Sequence, residues 1–475
     1  MKTFKQEYDF IVIGSGSGGS VVANRLSENS NWTVLLLEAG PEEIILDEIP
    51  LFVSHIVNSD FNWGYRTERS DSICQGMKDQ RCNWPRGKVM GGTSVTNYMV
   101  YSRGVPHDYD DWAALGNTGW SFKDVLSYFK KSEDIQSVDL KNSPYHGVGG
   151  PLKIERPKWR SHLAASFMEA GHEMGYNTVD PSEQYPVGFS HVLANTGSGE
   201  RFSASKAFLR PIRKRSNFKV SKRSRVTKIL IDTNSIPRKA IGVEFYKKQR
   251  KHVVRASKEV ILCAGALNSP QILMLSGIGP RDHLEELKIP VIEDLKVGHN
   301  LQDHVSMAGL VFLVNSSDTI VEKEFQRPRY MLDYLLRREG PYTSPGGAET
   351  MALVASKFEK DKTRPDIELV MGPGALTGDS GGSLKSLLGL SDEFFNKVYR
   401  PYFEHHAYNI VPLILRPYSR GLVKLRSNNP FDSPKFYANY LSDTRDLDVL
   451  IESIKMVSFS FVLLFLLFLE NSKHV

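Results

Sequence analysis

Asp9-Phe-Ile-Val-Ile-Gly-Ser-Gly-Ser-Gly-Gly19, followed by Val34-Leu-Leu-Leu-Glu-Ala-Gly40, is the stretch whose reading decides the fold. The apolar run Phe10 to Ile13 has strand length. It breaks into Gly14-x-Gly16-x-x-Gly19, continues as a helical segment from Ser20 to Asn29, and returns as a second apolar run ending in Glu38. This strand, turn, helix, strand pattern is that of a dinucleotide-binding unit. Gly14 permits the tight turn, Gly16 lets a pyrophosphate approach bare backbone, and Gly19 lets the helix pack close to the strand. The helix N-terminus offers unpaired N–H groups and about half a positive charge to phosphates. Glu38 stands where a carboxylate accepts hydrogen bonds from a ribose diol, and with no Arg beside it in sequence NADP is disfavoured. NAD and FAD both remain open on these residues alone.

The chain of 475 residues has the length of two or three domains, and 41% apolar content supplies large cores. The net charge of +6 is mild and comes from local clusters. One is Arg210, Arg213, Lys214, Arg215, Lys219, Lys222, Arg223 and Arg225; another is Lys247 to Lys251. Neither alternates with base-stacking aromatics, so both read as solvated faces and not as a nucleic-acid surface. Three cysteines cannot build a disulfide framework, and none have metal-ligand spacing. Cys74 and Cys82 lie in one loop-like stretch and would bridge in an oxidising compartment, whereas Cys263, inside Val260 to Ala264, reads as a buried thiol. No apolar leader follows Met1, and the compartment is left open.

Farther along, helical spacing returns in Asp124 to Lys131 and Leu163 to Met174. The runs Phe218 to Val220, Arg225 to Ile231, Lys239 to Tyr246 and His252 to Ala256 read as sheet strands, with a polar turn over 232–238. Glu259 to Ala266 reads as a further buried strand ending in a glycine turn, and Asn268 to Ser276 as a helix starting at Pro270. From about Val305 to Arg420, Pro and Gly clusters punctuate what reads as a second, mixed domain.

Four blocks then carry a resemblance. Trp84-Pro-Arg-Gly-Lys-Val-Met-Gly-Gly-Thr-Ser-Val-Thr-Asn-Tyr-Met-Val-Tyr-Ser-Arg-Gly104 and Gly265-Ala-Leu-Asn-Ser-Pro-Gln-Ile-Leu-Met-Leu-Ser-Gly-Ile-Gly279 resemble the two signatures of the glucose-methanol-choline (GMC) oxidoreductases. Val297-Gly-His-Asn-Leu-Gln-Asp-His304 and Arg416-Pro-Tyr-Ser-Arg-Gly-Leu-Val-Lys-Leu-Arg-Ser427 are similar to two further segments of that family. The texture is closest to its insect glucose dehydrogenase-like branch. The resemblance implies an α/β fold combined with α+β: a Rossmann-like FAD-binding domain over 1–315, with substrate-domain insertions around 150–225, and a mixed substrate-binding domain on an antiparallel sheet over 316–475. It implies FAD as cofactor, with Val89, Thr93, Asn97, Tyr98, Met99 and Val100 lining the flavin and the backbone of Val226 meeting the adenine. Gly87 to Ser94 agree with this on physical grounds, since small residues let backbone N–H groups approach an anion or carbonyl. Met90 and Thr96 depart from the branched aliphatics more usual in the family.

The implied reaction oxidises the CH–OH group of a sugar or alcohol donor, with hydride moving to flavin N5 and a quinone-like acceptor or oxygen as oxidant. The hydroxyl proton needs a base that is neutral near working pH, which suits histidine. The family takes that His, with a partner His or Asn, from a segment beyond the one matched by Asp446 to Lys455. Here the chain instead runs Met456-Val-Ser-Phe-Ser-Phe-Val-Leu-Leu-Phe-Leu-Leu-Phe-Leu469 and reaches Val475. The catalytic residues are therefore left unassigned, and the tail reads as a truncation or splice product. As a helix its fourteen residues would span about 21 Å, short of a ~30 Å bilayer core, so a membrane anchor is the lesser reading. His405 and His406 would point to opposite faces of a strand, and His304 reads as structural; His299 stands where the family more often has Arg. Two other expectations stand beside impaired catalysis: an inactive flavin-binding isoform, and a product that does not fold because its apolar surface stays exposed.

Overall fold

The computed structural model describes residues 4–315, 317 and 319–471, with side chains to residue 458. Its first sheet has six strands in the order Phe218–Ser221, Val34–Leu37, Glu7–Ile13, Arg250–Leu262, Lys239–Lys247, Ser224–Asp232. The first four are parallel and the last three form an antiparallel meander. Ile11 stands opposite Leu35 on one side and Val260 on the other. A parallel sheet covered on both faces needs near-continuous apolar strands, and Ile11, Val12, Leu35 and Leu36 are all fully buried. Alternate residues feed two cores. Ile11, Ile13, Leu35 and Leu37 pack with Val243, Phe245 and Ile272, while Phe10, Val12, Val34 and Leu36 pack with Ala23, Met90 and Phe218.

Three boundaries differ from the sequence reading, each for a local reason. The first helix is Ser17–Leu26, three residues earlier than expected. Gly18 and Gly19 are poor helix formers, but Gly19 packs so tightly on the Gly14 carbonyl that an added Cβ would lie 1.9 Å from that oxygen. His252 to Ala256 and the run from Glu259 are one strand, Arg250–Leu262, whose N-terminal half pairs antiparallel and whose C-terminal half pairs parallel. The helix placed from Pro270 begins at Gly265 and contains Pro270.

The second sheet is antiparallel: Val305–Ser306, Ala407–Ile414, Ile367–Gly372, Thr350–Val354 and Gly188–His191 in order, with Val311–Leu313 also on Ala407–Ile414. One face carries Phe189, Ala352, Ile367, Leu369, Met371 and Ile410, packed on Phe167 and Ala170 of the helix His162–Glu173 and on Val457. Each such side chain contributes about 1.5–3 kcal/mol by leaving water. The opposite face shows Glu368, Val370, Asn409, Val411 and Leu413 to a cavity. The fold is thus a Rossmann-like α/β unit joined to an α+β unit on an antiparallel sheet.

The terminal helix is Thr444–Asn471. Among the described residues no helix is long and apolar enough to cross a membrane. The side chains from 459 onward, on which the anchor reading falls, lie outside the described residues. Cys74 and Cys82 form a disulfide with Cα atoms 5.4 Å apart. Cys263 is only half-buried and lines a cavity, where the sequence had suggested a core thiol.

Candidate functional site

The first strand, having spent its apolar residues, turns at Gly14, whose φ of +94° no ordinary side chain adopts comfortably and whose added Cβ would lie 2.4 Å from the Cys263 carbonyl oxygen. Gly16 then caps the helix Ser17–Leu26 with no side-chain hydrogen bond, so the first-turn N–H groups have no intrahelical partners. These groups open on a cavity of about 280 Å³ lined by Gly14, Gly16, Glu38, Trp63, Thr93, Arg225 and Val226, among others. A Cβ on Gly16 would meet no atom within 4 Å: it would stand in the cavity itself. The second glycine bend lies directly against the first, since a Cβ on Gly92 would be 2.7 Å from Gly16 Cα. The Gly91 N–H donates to the Ser15 carbonyl at 3.1 Å and ties the two together.

Glu38 is nearly fully buried at the tip of its strand. Its Oε2 accepts from the Ser15 N–H at 2.9 Å and the Ser15 hydroxyl at 2.7 Å, and its Oε1 accepts from the Gly40 N–H at 2.7 Å. Burial pushes this carboxyl up, against the pull of those bonds. The acid therefore braces the glycine turn as well as facing the cavity, and its two oxygens keep lone pairs for a further donor.

Arg225 is the residue that sequence reasoning misplaced. Counted there within a solvated basic face, its guanidinium lies 5.2 Å from the Trp63 ring and 5.3 Å from the Phe431 ring, and donates to the Pro430 carbonyl at 2.7 Å. Burial lowers its pKa. Other members of that cluster are paired with acids: Arg210 with Glu43 and Glu48, Arg213 and Lys222 with Glu42. The approach of a strand-borne Arg to the face of Trp63, so distant in sequence, gave no local signal.

From Thr93 the chain runs toward a second cavity. Thr93 lines the first and its hydroxyl accepts from the Gly87 N–H at 3.2 Å. Val89 is buried, its amide nitrogen 2.3 Å from where a Gly40 Cβ would be. Asn97 Oδ1 accepts from Arg201 at 2.8 Å and from the Met99 N–H at 3.2 Å; burial brings the fully enclosed Arg201 down to about 10. Met99 packs inward against Met351 and Leu353. Tyr98 and Val100 line the second cavity, about 590 Å³ over the open face of the antiparallel sheet. Residues 92–100 thus connect the two spaces. Gly14, Gly16, Glu38, Thr93 and Val226 gather at the first, Tyr98 and Val100 at the second, while Gly19, Val89, Asn97 and Met99 support them from behind.

The histidine lining the second cavity, among the described residues, is His55, 56% exposed and 3.8 Å from Glu322. His405 and His406 precede the strand Ala407–Ile414 and do not lie within it, so the alternation argument does not govern them. His405 is exposed and His406 Nδ1 pairs with the Thr319 hydroxyl at 2.7 Å. His299 and His304 are exposed. Among the described residues no cluster of His, Cys, Asp or Glu is arranged to hold a metal.

Comparison with known proteins agrees with this layout. A glucose dehydrogenase (FAD, quinone) of Drosophila pseudoobscura pseudoobscura is 40% identical over 453 residues, 94% of this chain and 69% of that protein. An ecdysone oxidase of Bombyx mori is 36% identical, covering 94% of this chain and 66% of its own length. The crystal structure of pyridoxine 4-oxidase from Mesorbium loti superposes with a TM-score of 0.77 at 28% identity, over 95% of this chain and 80% of that one. The profile of the GMC oxidoreductases matches residues 8–306, from the first glycine turn to the edge of the antiparallel sheet. With that span matched and relatives this similar across nearly its whole length, the chain belongs to the GMC oxidoreductase family.

Proposed function

We propose that this chain binds FAD and oxidises the CH–OH group of a small-molecule alcohol or sugar, passing electrons to a quinone-like acceptor or oxygen. The observation that carries the reading is the contact of the two glycine bends over one cavity, with residues 92–100 leading from it to the second. Bound FAD supplies the hydride acceptor. The amides at Gly16 and the start of Ser17–Leu26 would hold its pyrophosphate, Glu38 its ribose, and Arg225 with the Val226 backbone its adenine end. Thr93, Tyr98 and Val100 would form the wall between cofactor and donor, with Asn97, Met99 and Val89 supporting it from behind. In the second cavity Asn409, whose side-chain amide bonds no other described residue, is placed to orient a donor hydroxyl.

The test is anaerobic addition of primary and secondary alcohols and sugars to the purified flavoprotein. The expected result is bleaching of the visible flavin band by at least one donor and its return on adding a quinone. A second reading, a flavin binder without turnover, is favoured by the placement of His55: a base must reach the hydroxyl proton, and this imidazole sits at the mouth beside Glu322. Bound flavin that no donor bleaches would select it.

A further inference from the structure

The cavity over the antiparallel sheet is walled by Leu51, Phe52, Ile320, Phe325, Leu376 and Leu387, with Val370, Val411 and Leu413 as its floor. Most polar groups on its wall are already engaged by the protein. The Ser54 and Ser383 hydroxyls bond each other at 3.0 Å; Asp379 accepts from the Leu384 and Lys385 N–H groups at 3.0 and 2.8 Å. Glu322 accepts from the Gly381 N–H at 2.7 Å, and the Tyr342 hydroxyl donates to the Phe325 carbonyl at 2.7 Å. Among the described residues the side chains of Tyr98, Gln326 and Asn409 have no hydrogen-bond partner, and the Glu368 carboxyl, the one acid among these four, has neither a hydrogen-bond nor an ion-pair partner. Burial pushes that carboxyl up to about 7.

The sheet register fixes where Glu368 lies. It stands opposite Leu413, while Gly372 stands opposite Asn409 at the other end of the same face. Gly372 adjoins the carbonyl of Gly347, and the Tyr98 ring covers neighbouring Gly346. The Tyr98 end is thus the end toward the proposed flavin. Four residues of strand separate it from Glu368, about 13 Å, with the apolar pair Val370 and Val411 between and Leu413 beside Glu368.

We propose that this cavity selects an extended, mostly apolar alcohol whose second hydroxyl is held by Glu368, and that a monosaccharide is a poor donor. A sugar carries a hydroxyl on nearly every carbon, and this floor would leave most of them unpaired. An apolar body with hydroxyls about 13 Å apart instead satisfies Glu368 and Asn409 at once and fills a volume suited to a drug-sized ligand. Specificity of this kind, through one half-buried polar group on an apolar floor that must be matched, discriminates more sharply than apolar fit alone. The assignment of the reacting end rests on the function proposed above; the binding preference does not.

Calorimetric titration of the purified chain with 1,10-decanediol, 1-decanol and glucose tests it, alongside Glu368→Gln and Glu368→Leu, with flavin content and melting temperature measured on each protein. We expect saturable binding of the diol at least tenfold tighter than of glucose. Glu368→Leu weakens the diol at least tenfold while leaving 1-decanol within about twofold, and Glu368→Gln falls between. Equal affinity for glucose and diol, or diol binding indifferent to both substitutions in folded protein, would overturn the inference. Protein that carries flavin but does not bind the diol sinks this inference alone. Diol binding by folded protein without flavin supports it and sinks the flavin reading instead.

Discussion

The three glycines of the first bend do different work, and substitution separates them. At Gly16 an added methyl enters open cavity without touching protein. Gly16→Ala is expected to melt within a few degrees of the parent while flavin affinity falls at least tenfold, measured by fluorescence titration of the apoprotein. At Gly14 the methyl meets the Cys263 carbonyl at 2.4 Å in a positive-φ conformation, and at Gly19 it meets the Gly14 carbonyl at 1.9 Å. Gly14→Ala and Gly19→Ala therefore cost stability first, at least about 2 kcal/mol each in urea unfolding. Glu38→Gln tests the brace. Its amide keeps one accepting oxygen and sets an NH2 in place of the other, so at least one of the Ser15 or Gly40 donors is left unpaired, at about 1–3 kcal/mol. Flavin affinity should fall with it. The roles of Gly14 and Gly19 were legible in the sequence because they follow from spacing. The bracing by Glu38 was not, since Ser15 is an unremarkable residue in a string of glycines and only the folded turn brings its hydroxyl under the carboxylate.

Among elements, the strand Ile367–Gly372 separates structure from function by its two-residue period. Leu369 faces the core with Phe189 and Met371, and Leu369→Ala should cost about 2–5 kcal/mol in denaturant unfolding. Val370 faces the cavity, and Val370→Ala should cost markedly less while altering donor affinity. A second element-level feature joins Glu133–Ile135 to the loops around His146 and Asp180. His146 Nδ1 meets Glu133 at 2.6 Å and Nε2 meets Asp180 at 2.8 Å, with Arg103 also on Glu133. Burial opposes the charge on His146, but the bonds to Asp180 and Glu133 outweigh it and hold the imidazole up to about 9. A histidine raised above its ordinary 6.5 stabilises the fold fully below pH 6.5, and that contribution disappears as pH rises to about 9. It amounts to on the order of 3 kcal/mol. Unfolding free energies at pH 6 and 9.5 should therefore diverge more in the parent than in His146→Gln; equal pH slopes would contradict the assignment. Neither His146 nor its partners stood out in the sequence, because Glu133, His146 and Asp180 lie in three segments with no shared motif. The strands themselves were legible where alternation or unbroken apolar runs persisted, and blurred where Arg250–Leu262 changes from antiparallel to parallel pairing midway.

At the scale of the whole molecule, the parallel sheet carries one cavity, the antiparallel sheet floors another, and residues 92–100 connect them. The parallel sheet announced itself through one continuous pattern, strand, glycine bend, helix, strand, acid. The second sheet did not, because its edge strand Gly188–His191 comes from far upstream of its neighbours and its cavity face interrupts apolar residues with Glu368 and Asn409. Arg225 was hidden for a similar reason: only the meander carries it to Trp63. The proposed oxidation of a donor depends on the first cavity holding a flavin nucleotide. The most direct measurement is the absorption spectrum of the folded, purified chain, with FAD released by denaturation and quantified against protein. The account predicts close to one FAD per chain, sharply reduced in Gly16→Ala. A cooperatively melting protein that is colourless and takes up no added FAD would contradict it.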